Sequence, residues 1–207
     1  DNAAIQTGWG ELWLQAHINA EAVKSFADAL KADEHYAPAR LGMAQALLEE
    51  NPPEALKLVQ AVIAADPTSV PAYLLQAQLE LDRSDRDAAK KAVAQATSIN
   101  PVSLDALALS GGIAYIEDRR SDFEADVAAA LKVNPRFSDA YRVAAEQAAS
   151  NYRFEEAVAL NRQALTVDPD DVKIHAALGV QLLRTGDEEE ARQHREIAWK
   201  VDDFDRT

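Results

Sequence analysis

Apolar residues in this chain recur at helical spacing in short stretches, and the stretches come in pairs. The stretch VPAYLLQAQLELD at 70–82 is followed by a polar break, RSDR, and then by a second stretch, DAAKKAVAQATSIN. Side chains three and four residues apart share one face of a helix, so each stretch predicts an amphipathic helix. The pairing predicts helical hairpins joined by short polar turns.

The hairpins repeat at a fixed spacing. Four similar phrases, VIAADP, ATSINP, ALKVNP and ALTVDP, end in prolines that stand 34 residues apart, at Pro67, Pro101, Pro135 and Pro169. A column of small residues keeps nearly the same period. Its members are Gly10, Ala44, Ala77, Gly111, Ala145 and Gly179. Proline disfavours helix in the residue before it, and Ser69, Ser103 and Asp171 can cap the helices that follow. The prolines therefore mark boundaries between hairpins.

A 34-residue helix–turn–helix period with small-residue and proline columns resembles the tetratricopeptide repeat. Further small residues fall on the family's positions at Ala22, Ala29, Ala191 and Ala198, and large ones at Phe26 and Phe154. The resemblance implies an all-α fold, a right-handed α-solenoid of about six helix–turn–helix hairpins that fills residues 1–207 as a single domain. The expected units lie near 3–36, 37–69, 70–103, 104–137, 138–171 and 172–205. Because the chain opens on DNAAIQTGW without an initiator methionine, we expect a fragment of a longer protein.

Three departures from the pattern carry their own expectations. The second unit is one residue short around ENPPEA, which predicts a tighter turn. Phe123 stands where the second helix of the fourth unit should have alanine, so that hairpin should open or shift and residues 104–135 should exchange hydrogen more readily than their flanks. Trp9 and Trp13, four residues apart on one helix face, are expected in the core of the first repeat.

Charge limits the classes of partner. Lys and Arg total 21 against 35 Asp and Glu, which gives a net charge of −14. Binding to nucleic acid or to an anionic membrane surface depends on cationic side chains, so the sequence argues against both. No apolar run has the length of a membrane span, and the absence of cysteine excludes disulfides and thiolate metal sites.

The sequence offers no constellation for catalysis. Its four histidines form no H-E-x-x-H pair, and no glycine-rich phosphate-binding motif is present. His194 follows Glu190 by four residues, which predicts a solvated contact on one helix. His175 occupies a large-residue position of its repeat, which predicts packing. We therefore expect a protein that is not an enzyme, with no cofactor, no metal and no catalytic residue.

The tetratricopeptide resemblance implies a concave face lined by the first helix of each hairpin. The candidate peptide-binding residues on this face are Leu41, Gln45, Leu74, Gln78, Tyr115 and Arg142. Leu74 and Tyr115 are interpreted as apolar anchors, and Gln45 and Gln78 as groups that bond a peptide backbone. Arg142 is the one cation in the row and could orient an acidic group. The predicted function is a non-catalytic scaffold for protein or peptide partners, neutral or basic because the chain is acidic.

Two alternatives stay open. The segment from ALALSGG to EEAVAL, together with LGVQLLRTGDEEEAR and the DDFD ending, resembles the repeat region that precedes a gluzincin-type metallopeptidase domain in some bacterial proteins. That weaker resemblance implies an accessory, substrate-presenting module of a bacterial, periplasmic or exported protein, with a cytoplasmic location as the alternative. The second alternative is self-association through the ends of the repeat array.

Overall fold

The computed structural model describes residues 2–204, with side chains described as far as residue 200, and this part of the chain is all-α. The helices, in chain order, are α1 (Ala3–Gln15), α2 (Asn19–Ala32), α3 (Ala37–Ala46), α4 (Pro52–Ala65), α5 (Val70–Asp82), α6 (Arg86–Ile99), α7 (Leu104–Ile116), α8 (Arg120–Val133), α9 (Asp139–Ser150), α10 (Phe154–Val167), α11 (Val172–Thr185) and α12 (Glu188–Phe204). Each odd-numbered helix packs against the even-numbered helix that follows it. The predicted all-α class and hairpin pairing are confirmed, while the extent of the repeat units as one domain stays a prediction.

Five of the hairpin turns share one backbone device. In four of them the residue after the first helix's C-cap has a positive φ, and in the last one the C-cap itself, Gly186, has it. In all five the next N–H bonds back to a carbonyl five residues earlier, as from Asp85 to Glu80 at 2.8 Å. The positive-φ residues are His17, Ser84, Asp118, Tyr152 and Gly186. This left-handed residue ends a helix abruptly by satisfying its last carbonyl groups. The device lets the chain reverse within two or three residues.

The second hairpin turns differently, and its turn is longer rather than tighter. Helix α3 has only 10 residues, and residues 47–51 separate it from α4. Asn51 is held at φ −147° before Pro52, and its side chain accepts a hydrogen bond from the N–H of Glu54 at 3.3 Å. Proline disfavours helical backbone in the residue before it, in keeping with the non-helical backbone of Asn51. The missing residue is therefore taken from the helix, and the predicted tighter turn is wrong.

The predicted caps are confirmed at two of three positions. Asp171 accepts hydrogen bonds from the N–H groups of Lys173 and Ile174, at 3.0 and 3.3 Å. Ser103 accepts one from Ala106 at 3.4 Å. Ser69 makes no side-chain capping bond, in a helix whose first turn contains a proline. Proline has no N–H to offer, so one of the groups a cap would satisfy is absent there.

The chain forms two compact units, one ending at Pro101 and the other beginning at Val102. In the first unit the fully buried ring of Phe26 lies between two glycines of successive first helices. A Cβ added at Gly10 would lie 2.5 Å from Phe26 Cε1, and one at Gly42 would lie 2.3 Å from Cζ. Both distances are below any real carbon–carbon contact, so the ring touches the backbone of α1 and of α3. Two glycines are therefore required to seat one phenylalanine.

In the second unit an aromatic ladder holds the first hairpin to the next. Phe123 is buried, and its ring meets Tyr115 edge-on at 5.1 Å and Tyr141 at 5.9 Å between centroids. A Cβ at Gly111 would lie 3.4 Å from the Phe123 ring, so the glycine leaves room for the larger side chain. Edge-to-face contacts of this kind stabilise aromatic clusters. The ring is accommodated within the pair of α7 and α8, and the faster hydrogen exchange of residues 104–135 stays a prediction.

Candidate functional site

Four of the candidate peptide-binding residues lie on α3 and α5, two first helices that pack against each other in the first unit. Leu41 and Leu74 are half-buried, while Gln45 and Gln78 are exposed. Each glutamine stands four residues after its leucine, so each pair shares one helix face. Within the described residues, neither glutamine side chain has a hydrogen-bond partner. The two amides are therefore available to a ligand, beside two apolar side chains.

Leu41 has a second role that the sequence did not reveal. Its side chain packs against the buried cluster that contains Ala44, Val59, Val62 and Leu79. Removing it would disturb the core of α3, α4 and α5 as well as any binding face. The glutamines are therefore the cleaner probes of binding.

Tyr115 lies in the second unit, and its side chain already makes contacts within the fold. Its hydroxyl donates a hydrogen bond to Glu156 at 2.8 Å, and the guanidinium of Arg120 stands 3.6 Å from the ring centroid. Burial, followed by the hydrogen bond to Glu156, raises the pKa of the phenol. Only 9% of the residue is exposed. The side chain is thus a member of an internal cluster that joins α7, α8 and α10.

Arg142 is also paired within its own helix. Its guanidinium donates hydrogen bonds to Asp139 and to Glu146, three residues before it and four after it. Burial acts to lower the pKa of Arg142, but the hydrogen bond to Asp139 and the charge of Glu146 outweigh it and raise the pKa. The cation therefore stays charged and carries two carboxylate partners.

Ion pairs between neighbouring hairpins recur through the second unit, and the sequence reasoning missed them. Arg120 meets Glu156 at 2.9 Å, and Arg153 meets Asp118 at 3.1 Å. Further pairs at 2.7 and 2.6 Å are Arg136–Asp168 and Arg162–Glu190. The partners stand 28 to 36 residues apart, close to one repeat. Opposite charges at repeat spacing were the signal that could have found them.

The pKa values of the carboxylates in these pairs are lowered, as expected for acids that lie beside cations. A hydrogen bond from the Tyr115 hydroxyl, with Arg120 and Arg153 adding to it, lowers the pKa of Glu156. A hydrogen bond from Arg136 lowers the pKa of Asp168. Exposed ion pairs each contribute about 1 kcal/mol or less to stability, so their effect depends on how many there are and on whether they form a network. These ion pairs thus link successive hairpins of the second unit.

Two histidines of the last hairpin form a pair. His175 Nδ1 lies 2.8 Å from His194 Nδ1, and His175 Nε2 lies 2.9 Å from the carbonyl oxygen of Pro169. His194 Nε2 is 3.6 Å from Glu190. The predicted contact with Glu190 is present, but the His194 side chain is only 16% exposed, so the contact is less solvated than predicted. The two histidines are 19 residues apart on facing helices, a separation that no local pattern reveals.

The predicted core position of Trp9 is wrong. Trp9 is 53% exposed, and Ile5 and Leu12 beside it are 59% and 54% exposed. Trp13 packs against the buried cluster around Phe26, as predicted. The repeat equivalent of Trp9 is Met43, which packs on that cluster. Within the described residues no helix covers the equivalent face of α1, because α1 is the first of them.

Two negative observations apply to the described part of the chain. Among residues 2–204, none of the helices combines the length and the apolar character needed to cross a bilayer. Over the same residues, no group of three or more His, Cys, Asp or Glu is placed to hold a metal ion.

Comparison with known proteins bears on the repeat itself. Residues 148–194, which span the end of α9, the whole of α10 and α11 and the start of α12, match the family model described as tetratricopeptide repeat. This segment of the chain carries the tetratricopeptide repeat pattern. The likeness to the repeat region before a metallopeptidase domain stays a prediction, and no curated protein matches the sequence.

Solved tetratricopeptide repeat proteins share the fold. A thermophilic tetratricopeptide repeat protein of Thermus thermophilus superimposes with a TM-score of 0.69 at 19% identity, covering 87% of this chain and 99% of that one. A tetratricopeptide repeat protein of Parabacteroides merdae gives 0.70 at 16% identity, covering 96% and 78%. YrrB, described as a tetratricopeptide repeat protein with an unusual peptide-binding site, gives 0.52 at 18% identity, covering 84% and 90%. At these identities the likeness shows the fold alone.

Proposed function

We propose that this chain is a non-catalytic scaffold that binds a protein or peptide segment on the α3 and α5 face of its first unit. The observation that carries the proposal is the pair of exposed, unpartnered amides of Gln45 and Gln78, each beside a half-buried leucine. Internal hydrogen bonds already occupy the polar groups of the other candidates, Tyr115 and Arg142. The peptide-binding site named for YrrB belongs to that protein, but it supports the same use of the fold.

The chemistry of the two amides suits a peptide backbone. Each glutamine side chain both donates and accepts hydrogen bonds, as does each backbone peptide group. The flanking leucines Leu41 and Leu74 offer apolar surface to a ligand side chain, which gives selectivity for segments with one apolar residue between backbone contacts. A ligand in extended conformation satisfies both requirements, because its backbone groups are unpaired.

The electrostatics of the first unit favour neutral or basic ligands. Burial, with the negative charge of Glu49 adding to it, raises the pKa of Asp82 at the end of α5. Glu49 and Asp82 therefore place two carboxylates near each other beside the end of α5. A further carboxylate brought by a ligand would be repelled, while a lysine or arginine would be attracted.

Tyr115 and Arg142 take part only if an internal bond is exchanged. A ligand carboxylate that reaches Arg142 must replace Asp139 or Glu146, and a ligand that reaches the Tyr115 hydroxyl must replace Glu156. Such exchanges gain little net free energy, because one charged partner is traded for another. We therefore assign these two residues a secondary share of the proposed binding.

The test is peptide selection followed by calorimetry. Peptides selected from a random displayed library on the wild-type chain should be enriched in neutral and basic sequences. The double variant Gln45→Ala/Gln78→Ala should bind them about tenfold or more weakly, because two hydrogen bonds of about 1 kcal/mol each are lost. The matched control is Gln60→Ala/Gln95→Ala, which removes two exposed glutamines from the second helices α4 and α6. Equal weakening of peptide binding by both double variants, or no weakening by either, would count against the proposed face.

A further inference from the structure

The hydrogen positions in the His175–His194 pair follow from its acceptors. The carbonyl oxygen of Pro169 can only accept a hydrogen bond, so His175 Nε2 carries the hydrogen that it donates at 2.9 Å. A neutral imidazole carries one ring hydrogen, which leaves His175 Nδ1 as a bare acceptor. His194 Nδ1, 2.8 Å away, must then be the donor. The neutral pair is therefore one N–H···N hydrogen bond with a defined direction, from α12 to α11.

The ring geometry agrees with this assignment. The ring centroids are 5.0 Å apart and the ring planes differ by 29°. Since the two Nδ1 atoms are only 2.8 Å apart, the rings meet edge to edge along the nitrogen–nitrogen line rather than overlapping face to face. In that arrangement the in-plane hydrogen of one ring points at the in-plane lone pair of the other.

Full protonation cannot be accommodated in this arrangement. If both rings are imidazolium, both Nδ1 atoms carry hydrogen and two N–H groups face each other at hydrogen-bond distance. The bond is lost and two positive charges are placed in contact. Because His175 is only 7% exposed, water cannot readily screen them. The packed hairpin therefore takes up fewer protons than the open one.

The charged groups around His194 do not reverse this preference. Burial is the first cause of its lowered pKa, the charge of His175 adds to it, and the negative charge of Glu190 opposes it. Glu190 is shared with Arg162 of α10 at 2.6 Å, and the charge of Arg162 lowers the pKa of His194 further. A folded-state pKa below the unfolded value of about 6.5 means that stability is present above that pH and is lost as pH falls below it.

We propose that His175 and His194 form an acid-sensitive clasp, which holds α12 against α11 at neutral pH and releases it as pH falls below about 6.5. Release separates the apolar contact between Leu178, Leu182 and Ala191 that the hairpin buries. It also separates the backbones of α11 and α12, which lie so close together that a Cβ at Gly179 would be 3.3 Å from the carbonyl oxygen of Ala191. The clasp thus makes the last hairpin the acid-responsive part of the chain.

Other groups with unusual pKa values do not compete with this assignment. The pKa of Glu190 is lowered, first by its hydrogen bond with Arg162, so this carboxylate does not titrate where histidines do. The acids whose pKa is raised, Asp82 and Asp126, belong to α5 and α8. A response confined to α12 between about pH 7.5 and about pH 5.5 therefore reports the histidines.

Hydrogen exchange measured by mass spectrometry tests the release. After correction for intrinsic exchange, protection of residues 188–200 should fall about tenfold between about pH 7.5 and about pH 5.5, with α9 unchanged. His194→Asn supplies a non-titrating side-chain N–H near the Nδ1 position, so its α12 protection should not depend on pH. The exposed His17 gives the control, because His17→Asn should keep the wild-type pH response. An unchanged wild-type protection, or the same pH response in His194→Asn, would overturn the proposal.

Ring nitrogen chemical shifts of the wild-type protein give a second readout that needs no variant. At about pH 7.5, His175 should be the Nε2–H tautomer and His194 the Nδ1–H tautomer, with one hydrogen shared across the pair. Titration should then show His194 protonating below the ordinary histidine range. Two identical tautomers, or an ordinary titration of His194, would contradict the clasp even if every variant failed to fold.

Discussion

The two compact units carry the same helical hairpin, but the second adds ion pairs between successive hairpins to their packing. In the first unit, the ring of Phe26 packs between the backbones of Gly10 and Gly42, and this contact is purely steric. In the second unit, arginines and carboxylates about one repeat apart link neighbouring hairpins, as between Arg136 and Asp168. A repeat that fixes only small and large positions therefore leaves the remaining contacts open to either solution.

The difference has a consequence for binding. Polar side chains of the second unit, such as those of Tyr115 and Glu156, already form hydrogen bonds within the fold. In the first unit, where packing holds the hairpins, Gln45 and Gln78 remain exposed. Among the candidate binding residues, the unpartnered polar side chains therefore belong to the first unit.

The largest expected effect comes from filling the glycine seat. Gly42→Ala should lower the free energy of unfolding of the first unit by about 3 kcal/mol, because its Cβ overlaps the buried ring of Phe26. Chemical denaturation measures the change. Gly8→Ala is the control in the neighbouring helix, where an added Cβ meets nothing within 4 Å. That control should stabilise the protein by about 0.5–1 kcal/mol, since alanine favours helix over glycine. Equal effects of the two variants would remove shape as the explanation.

A smaller effect is expected where the second unit places an amide at the position equivalent to Phe26. Asn161 is 1% exposed, and within the described residues its Oδ1 has no hydrogen-bond partner. Asn161→Leu should raise the free energy of unfolding by about 1–2 kcal/mol, because an unsatisfied buried acceptor is removed. Thermal and chemical denaturation should agree on the gain. A loss of stability would show that the amide makes a bond through ordered water.

The ion pairs between hairpins should contribute less per residue. Glu156→Gln removes the charge that meets Arg120 and should lower the free energy of unfolding by about 1 kcal/mol. Glu155→Gln, at the exposed neighbouring position, should change it little. Because the folded-state pKa of Glu156 is lowered, its contribution is present above about pH 4.3 and is lost as pH falls further. A wild-type difference from Glu156→Gln that persists unchanged at low pH would contradict an ionic origin.

The smallest effect concerns a turn of the first unit. Ser84 has φ +61°, a backbone that glycine adopts without strain. Ser84→Gly should stabilise the protein by about 0.5 kcal/mol, which thermal unfolding can detect. Ser69 has φ −73°, so Ser69→Gly should not stabilise it. A gain from both variants would point to a cause other than the left-handed backbone.

The repeat period made the helices and the hairpin pairing predictable, because prolines and small residues recur with the structure they impose. The contact of Phe26 with Gly10 and Gly42 was not predicted, because the small-residue column contains Gly10 but not Gly42 and does not say which side chain it faces. The exposure of Trp9 was missed because its face is covered only where a helix precedes it. The bond between His175 and His194 depends on the facing of two helices, which the spacing of residues along one chain does not express.

The central claim is that ligand binding belongs to the exposed amides of the first unit. Nuclear magnetic resonance titration of the wild-type chain with a selected neutral or basic peptide tests it most directly. The claim predicts that the side-chain amide signals of Gln45 and Gln78 shift with the peptide and saturate together, while those of Gln60 and Gln95 stay in place. Shifts confined to the second helices or to α9–α12, with Gln45 and Gln78 unmoved at saturation, would contradict it.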